Sequence, residues 1–166
     1  MNRFQLMYRL GLAPWERRDV ERSWRSLLDG PDALMPGRAL DVGCGSGRDA
    51  VHLAKRGWQV TAVDFVDEAL DKAKQRAAEQ GVEVQWVRGD VAQVGQLGLE
   101  PGYTLLYDFG CIHGLSDAQR ESAARGLSDL AAPGAVLLIG AFMAGRRRVL
   151  PRAAAGRKGR CSYAQC

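Results

Sequence analysis

Residues 37–57 read GRALDVGCGSGRDAVHLAKRG: a short apolar run closed by a carboxylate, Asp41, then glycines at alternate positions 43, 45 and 47, then an amphipathic stretch. Arg38–Val42 has the composition of a buried strand. The segment after Gly47, with Ala50, Val51, Leu53 and Ala54 apolar, has the spacing of a helix that Gly57 stops. The stretch is therefore strand, glycine turn, helix. Such a turn usually cradles a phosphate, and a fixed negative charge ahead of it opposes one. A plain dinucleotide is not the expected ligand.

Working outward, the strand-then-helix pattern repeats. Trp58–Val63 reads as a second strand, and 67–80 as a helix whose inward face is Ala69, Leu70, Ala73 and Ala77, with Gly81 as its stop. Strands follow at 83–88 and 103–109. Ser116 with Gln119 forms a capping-box signature for a helix running to about residue 131, and 135–141 reads as a buried strand. Upstream, Val20, Trp24, Leu27 and Leu28 place one apolar face on a helix over 16–28, which Gly30 and Pro31 end. Five strands alternating with helices predict an α/β, Rossmann-like three-layer sandwich with a mainly parallel sheet and right-handed crossovers.

In that architecture ligands bind beyond the carboxyl ends of the strands. Asp41, Asp64, Asp90 and Asp108 all fall at or just after predicted strand ends, so carboxylates should crowd one rim. Asp64 ends the second strand, where an acidic side chain can accept from both hydroxyls of a ribose. That suits NAD and S-adenosylmethionine equally. The turn separates them: a dehydrogenase fingerprint is G-x-G-x-x-G, whereas here the spacing is G-x-G-x-G with Asp41 two residues ahead. S-adenosylmethionine carries no phosphate, its sulfur is a cation and its methionine end bears an ammonium, so a carboxylate beneath it attracts.

Composition bounds the alternatives. The 166 residues are 46% hydrophobic and 25% charged, the make-up of one globular domain. Four cysteines without a C-x-x-C pair and two distant histidines predict no metal site and a reducing, cytoplasmic setting. The longest uncharged run, 131–145, contains Pro133 and falls short of a membrane span, so no membrane partner is expected. The net charge of +4 is uneven: seven basic residues and no acidic one lie in 145–166, leaving about −3 for residues 1–144. An acidic body argues against a nucleic-acid groove.

The successive motifs ALDVGCGSG, VTAVD and VRGDV, over roughly residues 37–141, resemble those of a class I S-adenosylmethionine-dependent methyltransferase. APWERR and YDFGCIH are similar to the small-molecule branch that includes thiopurine and tellurite methyltransferase-like proteins. The resemblance implies S-adenosylmethionine as cofactor and a small-molecule methyl acceptor as partner. It implies that Asp41 with the backbone of Gly43 and Gly45 holds the methionine moiety, that Asp64 clasps the ribose and that Phe65 lies beside the adenine. It further implies that Asp90 accepts from the adenine amino group, that the Val91 backbone addresses the ring, and that Phe109 and Gly110 pass close to the sulfonium. Asp64 and Asp90 can also be read as caps of the segments that follow, and Asp108 as a solvent-facing residue at a strand end. His113, near the acceptor, is a candidate general base or a polar residue of the rim. Cys44 and Cys111 read as packing residues; Phe4, Tyr8 and Trp15 as a lid or as core; Arg48 as a partner for the cofactor carboxylate or as helix surface.

The family's sheet ends in an antiparallel hairpin beside the fifth strand, and nothing after Ala141 offers a strand pair. The expectation is a methyltransferase domain over 1–144, with residues 1–30 as a helical lid segment, followed by a disordered basic tail over 145–166 in a truncated chain. The fifth strand would then be an open edge that invites self-association. A catalytically silent S-adenosylmethionine-binding protein is the alternative this leaves.

Overall fold

The computed structural model describes residues 3–13, 27–31, 33–140 and 164–165. Five strands, β1 (Arg38–Val42), β2 (Gln59–Asp64), β3 (Gln85–Arg88), β4 (Tyr103–Phe109) and β5 (Ala131–Gly140), run parallel. A two-residue strand, β6 (Ala164–Gln165), joins β5 antiparallel, and the sheet order is β3-β2-β1-β4-β5-β6. The helices that lie wholly among the described residues are α1 (Arg3–Arg9), α2 (Arg48–Ala54), α3 (Asp67–Gln80) and α4 (Asp117–Leu130). Two short 3-10 turns, η1 (Val91–Gln96) and η2 (Ile112–Gly114), follow β3 and β4. This is the predicted Rossmann-like α/β sandwich. No helix among the described residues is long and apolar enough to cross a membrane.

Local chemistry accounts for the boundaries. Gly81 ends α3 in the left-handed conformation, at φ 64°. Ser116 and Gln119 close a reciprocal capping box at the start of α4. β5 begins at Ala131 rather than 135, because α4 stops one residue earlier than expected and the register between β4 and β5 shifts beside Pro133 and Gly134.

One expectation is corrected. The edge of β5 is not bare along its whole length, since β6 pairs with it at Val136 and Leu137. A strand of two residues has no alternation to read, and backbone pairing needs none. The rest of 141–166, and residues 16–26 of the helix expected over 16–28, lie outside the described residues; Leu27 and Leu28 at its end are helical.

The sheet is covered on both faces. On one, Ala39, Val60, Ala62, Leu105 and Tyr107 pack with Ala50 and Leu53 of α2; Leu27 and Leu28 join them. On the other, Leu40, Val42, Val63 and Leu106 pack with η1 and with Ala123, Leu127 and Leu130 of α4. α4 approaches η1 so closely that a Cβ on Gly126 would lie 2.5 Å from the Gly95 nitrogen and 2.9 Å from its Cα. Alanine gains about 1 kcal/mol of helix propensity over glycine, yet a clash with backbone cannot be relieved by a rotamer change, and overpacking costs about 1–3 kcal/mol or more. Net of the propensity gain this leaves a cost of up to about 2 kcal/mol, so the expected result for Gly126→Ala is a melting temperature lower by up to about 8 °C, read by thermal denaturation.

Candidate functional site

Between β1 and β4 the winding of the chain reverses, and at their carboxyl ends lies a cavity of about 370 Å³. One wall is the turn after β1. Gly43, Gly45 and Gly47 all have left-handed φ, of 74°, 54° and 71°, a conformation that costs other residues about 1–2 kcal/mol. The turn is tied down from several sides. The amides of Gly43 and Cys44 donate to the Val63 carbonyl at 2.8 and 3.0 Å. The Gly45 amide donates to Asp64 Oδ2 at 2.8 Å, while Asp64 Oδ1 accepts from the Val66 amide at 2.9 Å. From α3, the Arg76 guanidinium donates to the Ser46 carbonyl at 3.0 Å and to its hydroxyl at 3.3 Å. A Cβ on Gly47 would lie 2.6 Å from the Trp86 ring and 2.7 Å from Ala73, so the turn rests directly on β3 and α3.

The opposite wall is the turn after β4. Asp108 is fully buried, and its Oδ1 accepts from the amides of Cys111 and Ile112 at 3.0 and 3.1 Å. This corrects the solvent-facing reading: the chain folds back over the strand end and seals the carboxylate in. The two walls meet where a Cβ on Gly43 would lie 2.6 Å from Cys111 Sγ. α1 supplies a third side through Phe4 and Tyr8. The Phe4 and Phe65 rings meet edge to face, 6.0 Å between centroids.

The floor is acidic. Asp41 is 2% exposed; the Ala50 amide donates to its carboxylate, and Oδ2 has no hydrogen-bond partner. Burial, then the neighbouring Asp49, Asp108 and Asp64, hold the Asp41 carboxyl well above the usual carboxylate range. Tyr107 stands opposite Asp41 across the β1–β4 ladder, and its hydroxyl donates to Asp49 Oδ2 at 3.0 Å. Burial and the surrounding carboxylates push that phenol up, so it stays protonated as a donor. Burial likewise lifts Asp108 to about 6 against the two amides that lower it, and raises the Cys44 and Cys111 thiols. Neither thiol is an activated nucleophile. Of the charged side chains lining the cavity, Asp41, Asp49 and Asp64 are acidic and Arg48 is basic, a balance that favours a cationic guest.

Asp41, Gly43, Gly45, Asp64, Phe65, Phe109, Gly110 and His113 thus line one hollow. His113 lies on η2, exposed, with its carbonyl accepting from Arg120 at 3.4 Å. Asp90 and Val91 are not brought into the lining. Asp90 is exposed and caps η1 by accepting from the Ala92 amide at 2.9 Å, and the Val91 side chain is buried in the core against α4. Trp15 lies outside the described residues. Sequence reasoning passed over Asp49, Tyr107 and Ser46. Strand alternation places Tyr107 on the same face as Leu105 and so could have found it, whereas Asp49 looks like any acidic residue in a first helical turn.

A family profile described as a methyltransferase domain matches residues 39–134. Nodulation protein S of Rhizobium tropici is 32% identical over 135 residues, covering 80% of this chain and 53% of that protein. The 1,6-didemethyltoxoflavin-N1-methyltransferase of Burkholderia thailandensis, solved with 1,6-didemethyltoxoflavin and S-adenosylhomocysteine, aligns with TM-score 0.69 and 26% identity, over 82% of this chain and 58% of that one. A chain solved in work on converting a disulfide bond into a thioacetal group during echinomycin biosynthesis aligns with TM-score 0.69 and 30% identity, over 82% and 59%. Against three of the curated relatives the chain spans 20%, 27% and 53% of their length.

Proposed function

The chain belongs to the methyltransferase-domain family, and from that premise we propose that it is an S-adenosylmethionine-dependent methyltransferase acting on a small-molecule acceptor. The observation that carries the reading is the buried Asp41 carboxylate, with one oxygen lacking a partner, lining a glycine-walled hollow. A buried carboxylate left this way is costly unless a cation completes it, and the ammonium of the ligand's methionine end fits that requirement. Asp64 suits the ribose: a carboxylate has room for about four hydrogen bonds, so accepting two hydroxyls does not require it to release Gly45 or Val66. Phe65 offers a ring face for the adenine. Asp90 and Val91 follow β3 at the same end of the sheet, and the reading gives them the adenine edge at the mouth of the cavity rather than within it.

When bound, S-adenosylmethionine supplies a methyl group on a cationic sulfur that is already a good leaving group. The protein's part is then alignment, which can supply much of the acceleration of an in-line transfer. Gly110, at φ 89° with its amide donating to the Gly140 carbonyl at 2.8 Å, carries the backbone past the reacting end without a side chain. This reading gives His113, exposed in the cavity lining, the part of taking a proton from an oxygen or nitrogen nucleophile. Phe4 and Tyr8 of α1 cover the hollow and exclude water, the role this reading assigns to the amino-terminal segment of a domain spanning residues 1–144. A small acceptor is favoured over RNA because the cavity is of small-ligand size, about 370 Å³, and its floor is acidic, which disfavours a polyanion. The Burkholderia relative, which holds 1,6-didemethyltoxoflavin, supports the same class.

Calorimetric titration of S-adenosylhomocysteine into the wild type and Asp64→Ala tests the proposal. Saturable binding by the wild type is expected, with affinity about tenfold to a hundredfold weaker in the variant, the scale of losing charge-assisted hydrogen bonds. Null heats for both proteins would remove it.

A further inference from the structure

We propose that Gly140, the last residue of β5, is a positioning residue for the ligand cavity: by carrying no side chain it seats the Phe109 ring against β5 and keeps it out of the hollow between β1 and β4. The inference rests on the S-adenosylmethionine reading above. Phe109 and Gly140 are register partners at the carboxyl ends of β4 and β5. The Gly110 amide donates to the Gly140 carbonyl at 2.8 Å, a backbone tie that resists any spreading of the two strand ends. A Cβ on Gly140 would lie 3.0 Å from Phe109 Cγ and closer still to Cδ2 and Cε2, so the three nearest atoms all belong to one ring. Gly140 is buried, and it is not among the glycines with left-handed φ. Its backbone suits alanine; the ring is what excludes one.

The strand order gives the direction of the effect. β4 lies between β1 and β5, and the cavity sits at the carboxyl ends of β1 and β4. A methyl group at position 140 pushes the ring away from β5, which is toward β1 and the hollow. Retreat into the core is closed. Phe109 already packs against the cluster that holds Tyr107 and Leu138, both buried, and these two precede Phe109 and Gly140 by two residues on the same face of the sheet. A close-packed interior does not absorb an added methyl group, so the side chain that can move is the one displaced. Phe109 lines the cavity and Gly140 does not. Residue 140 therefore acts on the ligand through the ring, by setting the width of the hollow on its β5 side.

The experiment is a double-mutant cycle on the binding of S-adenosylhomocysteine, read by calorimetry in the wild type, Gly140→Ala, Phe109→Ala and the double variant, with melting temperatures as a check of folding. Gly140→Ala is expected to weaken binding about tenfold, the scale of a methyl-sized intrusion into a packed site. Phe109→Ala has an affinity of its own, because the ring lines the cavity. On that background Gly140→Ala should change the affinity by about twofold at most, the scatter of independent sites, since no ring is left to displace. If Gly140→Ala alone does not fold, the double variant carries the test: removing the ring must restore folding together with the affinity of Phe109→Ala. An unchanged affinity in folded Gly140→Ala, an equal loss on both backgrounds, or a double variant that is not rescued overturns the inference and leaves the parent reading standing. A wild type that does not bind S-adenosylhomocysteine overturns both.

Discussion

Asp41→Asn is expected to melt at a higher temperature than the wild type in the absence of ligand and to bind S-adenosylhomocysteine far more weakly. The two effects have one cause. Asp41 is desolvated and surrounded by Asp49, Asp64 and Asp108, so its ionised form is disfavoured in the folded state. A group whose folded pKa is raised contributes stability that is present below its unfolded value, about 3.9, and lost as the pH rises through the folded value. As the pH rises, ionisation of the floor therefore works against the ligand-free fold. Asparagine is close in shape, can still accept from the Ala50 amide, and turns a donor toward the neighbouring carboxylates instead of a charge. A gain of about 1 kcal/mol raises the melting temperature of a domain this size by about 2–4 °C. Loss of a charge-assisted hydrogen bond to the ligand's ammonium costs about 1.5–3 kcal/mol, or about tenfold to a hundredfold in affinity. The pH dependence separates this from a generic effect. Wild-type stability should fall more steeply from pH 4 to 8 than that of Asp41→Asn, and the variant should keep the part of the slope that Asp108 supplies through its value of about 6. A variant no more stable than the wild type, with the same slope, would show that Asp41 is not ionised against resistance.

The second large effect is expected at Gly43. Its φ of 74° is left-handed, and an added Cβ would meet the Cys111 side chain, with Sγ at 2.6 Å. The conformational cost for Gly43→Ala is about 1–2 kcal/mol, and the overpacking adds about 1–3 kcal/mol. Together these are a large share of a typical margin of about 5–15 kcal/mol. The obstructing atoms include Cys111 Cβ, close to the backbone, so relief requires the 110–112 turn to move, and that turn is a wall of the cavity. Thermal denaturation should therefore show a fall of roughly 6–15 °C, and the affinity for S-adenosylhomocysteine should drop in whatever fraction folds. Combining the change with Cys111→Gly removes the clash but not the strained φ, so it should recover part of the melting temperature and not all of it. Full recovery would mean that the left-handed conformation is not needed at 43.

These predictions draw on features of unequal visibility in the sequence. β1, β4 and α3 have the bounds that periodicity and stop signals suggest, because Arg38–Val42, Tyr103–Phe109 and Asp67–Gln80 each carry their own pattern and punctuation. The meeting of Asp41 and Asp64 followed from topology alone: parallel strands put their carboxyl ends together. What lay hidden depends on contacts between distant segments. Nothing local to Tyr107 says that its hydroxyl reaches Asp49, and nothing local to Asp108 says that the amides of Cys111 and Ile112 cover it. Asp90 shows the reverse case, a residue whose motif suggested a ligand contact and whose nearest demand is a local one, the cap of η1. β6 escaped notice because two residues of backbone pairing leave no mark on side-chain order.

The central claim is that the acidic floor between β1 and β4 is built to hold the amino-acid end of a sulfur nucleoside. A crystal structure of the protein with S-adenosylhomocysteine tests it most directly. The account predicts the ligand's amino group within hydrogen-bond distance of Asp41 Oδ2, its ribose hydroxyls on Asp64 and its chain against the glycine turn. A ligand seated elsewhere, or one that turns its carboxylate and not its amino group toward Asp41, would contradict the claim.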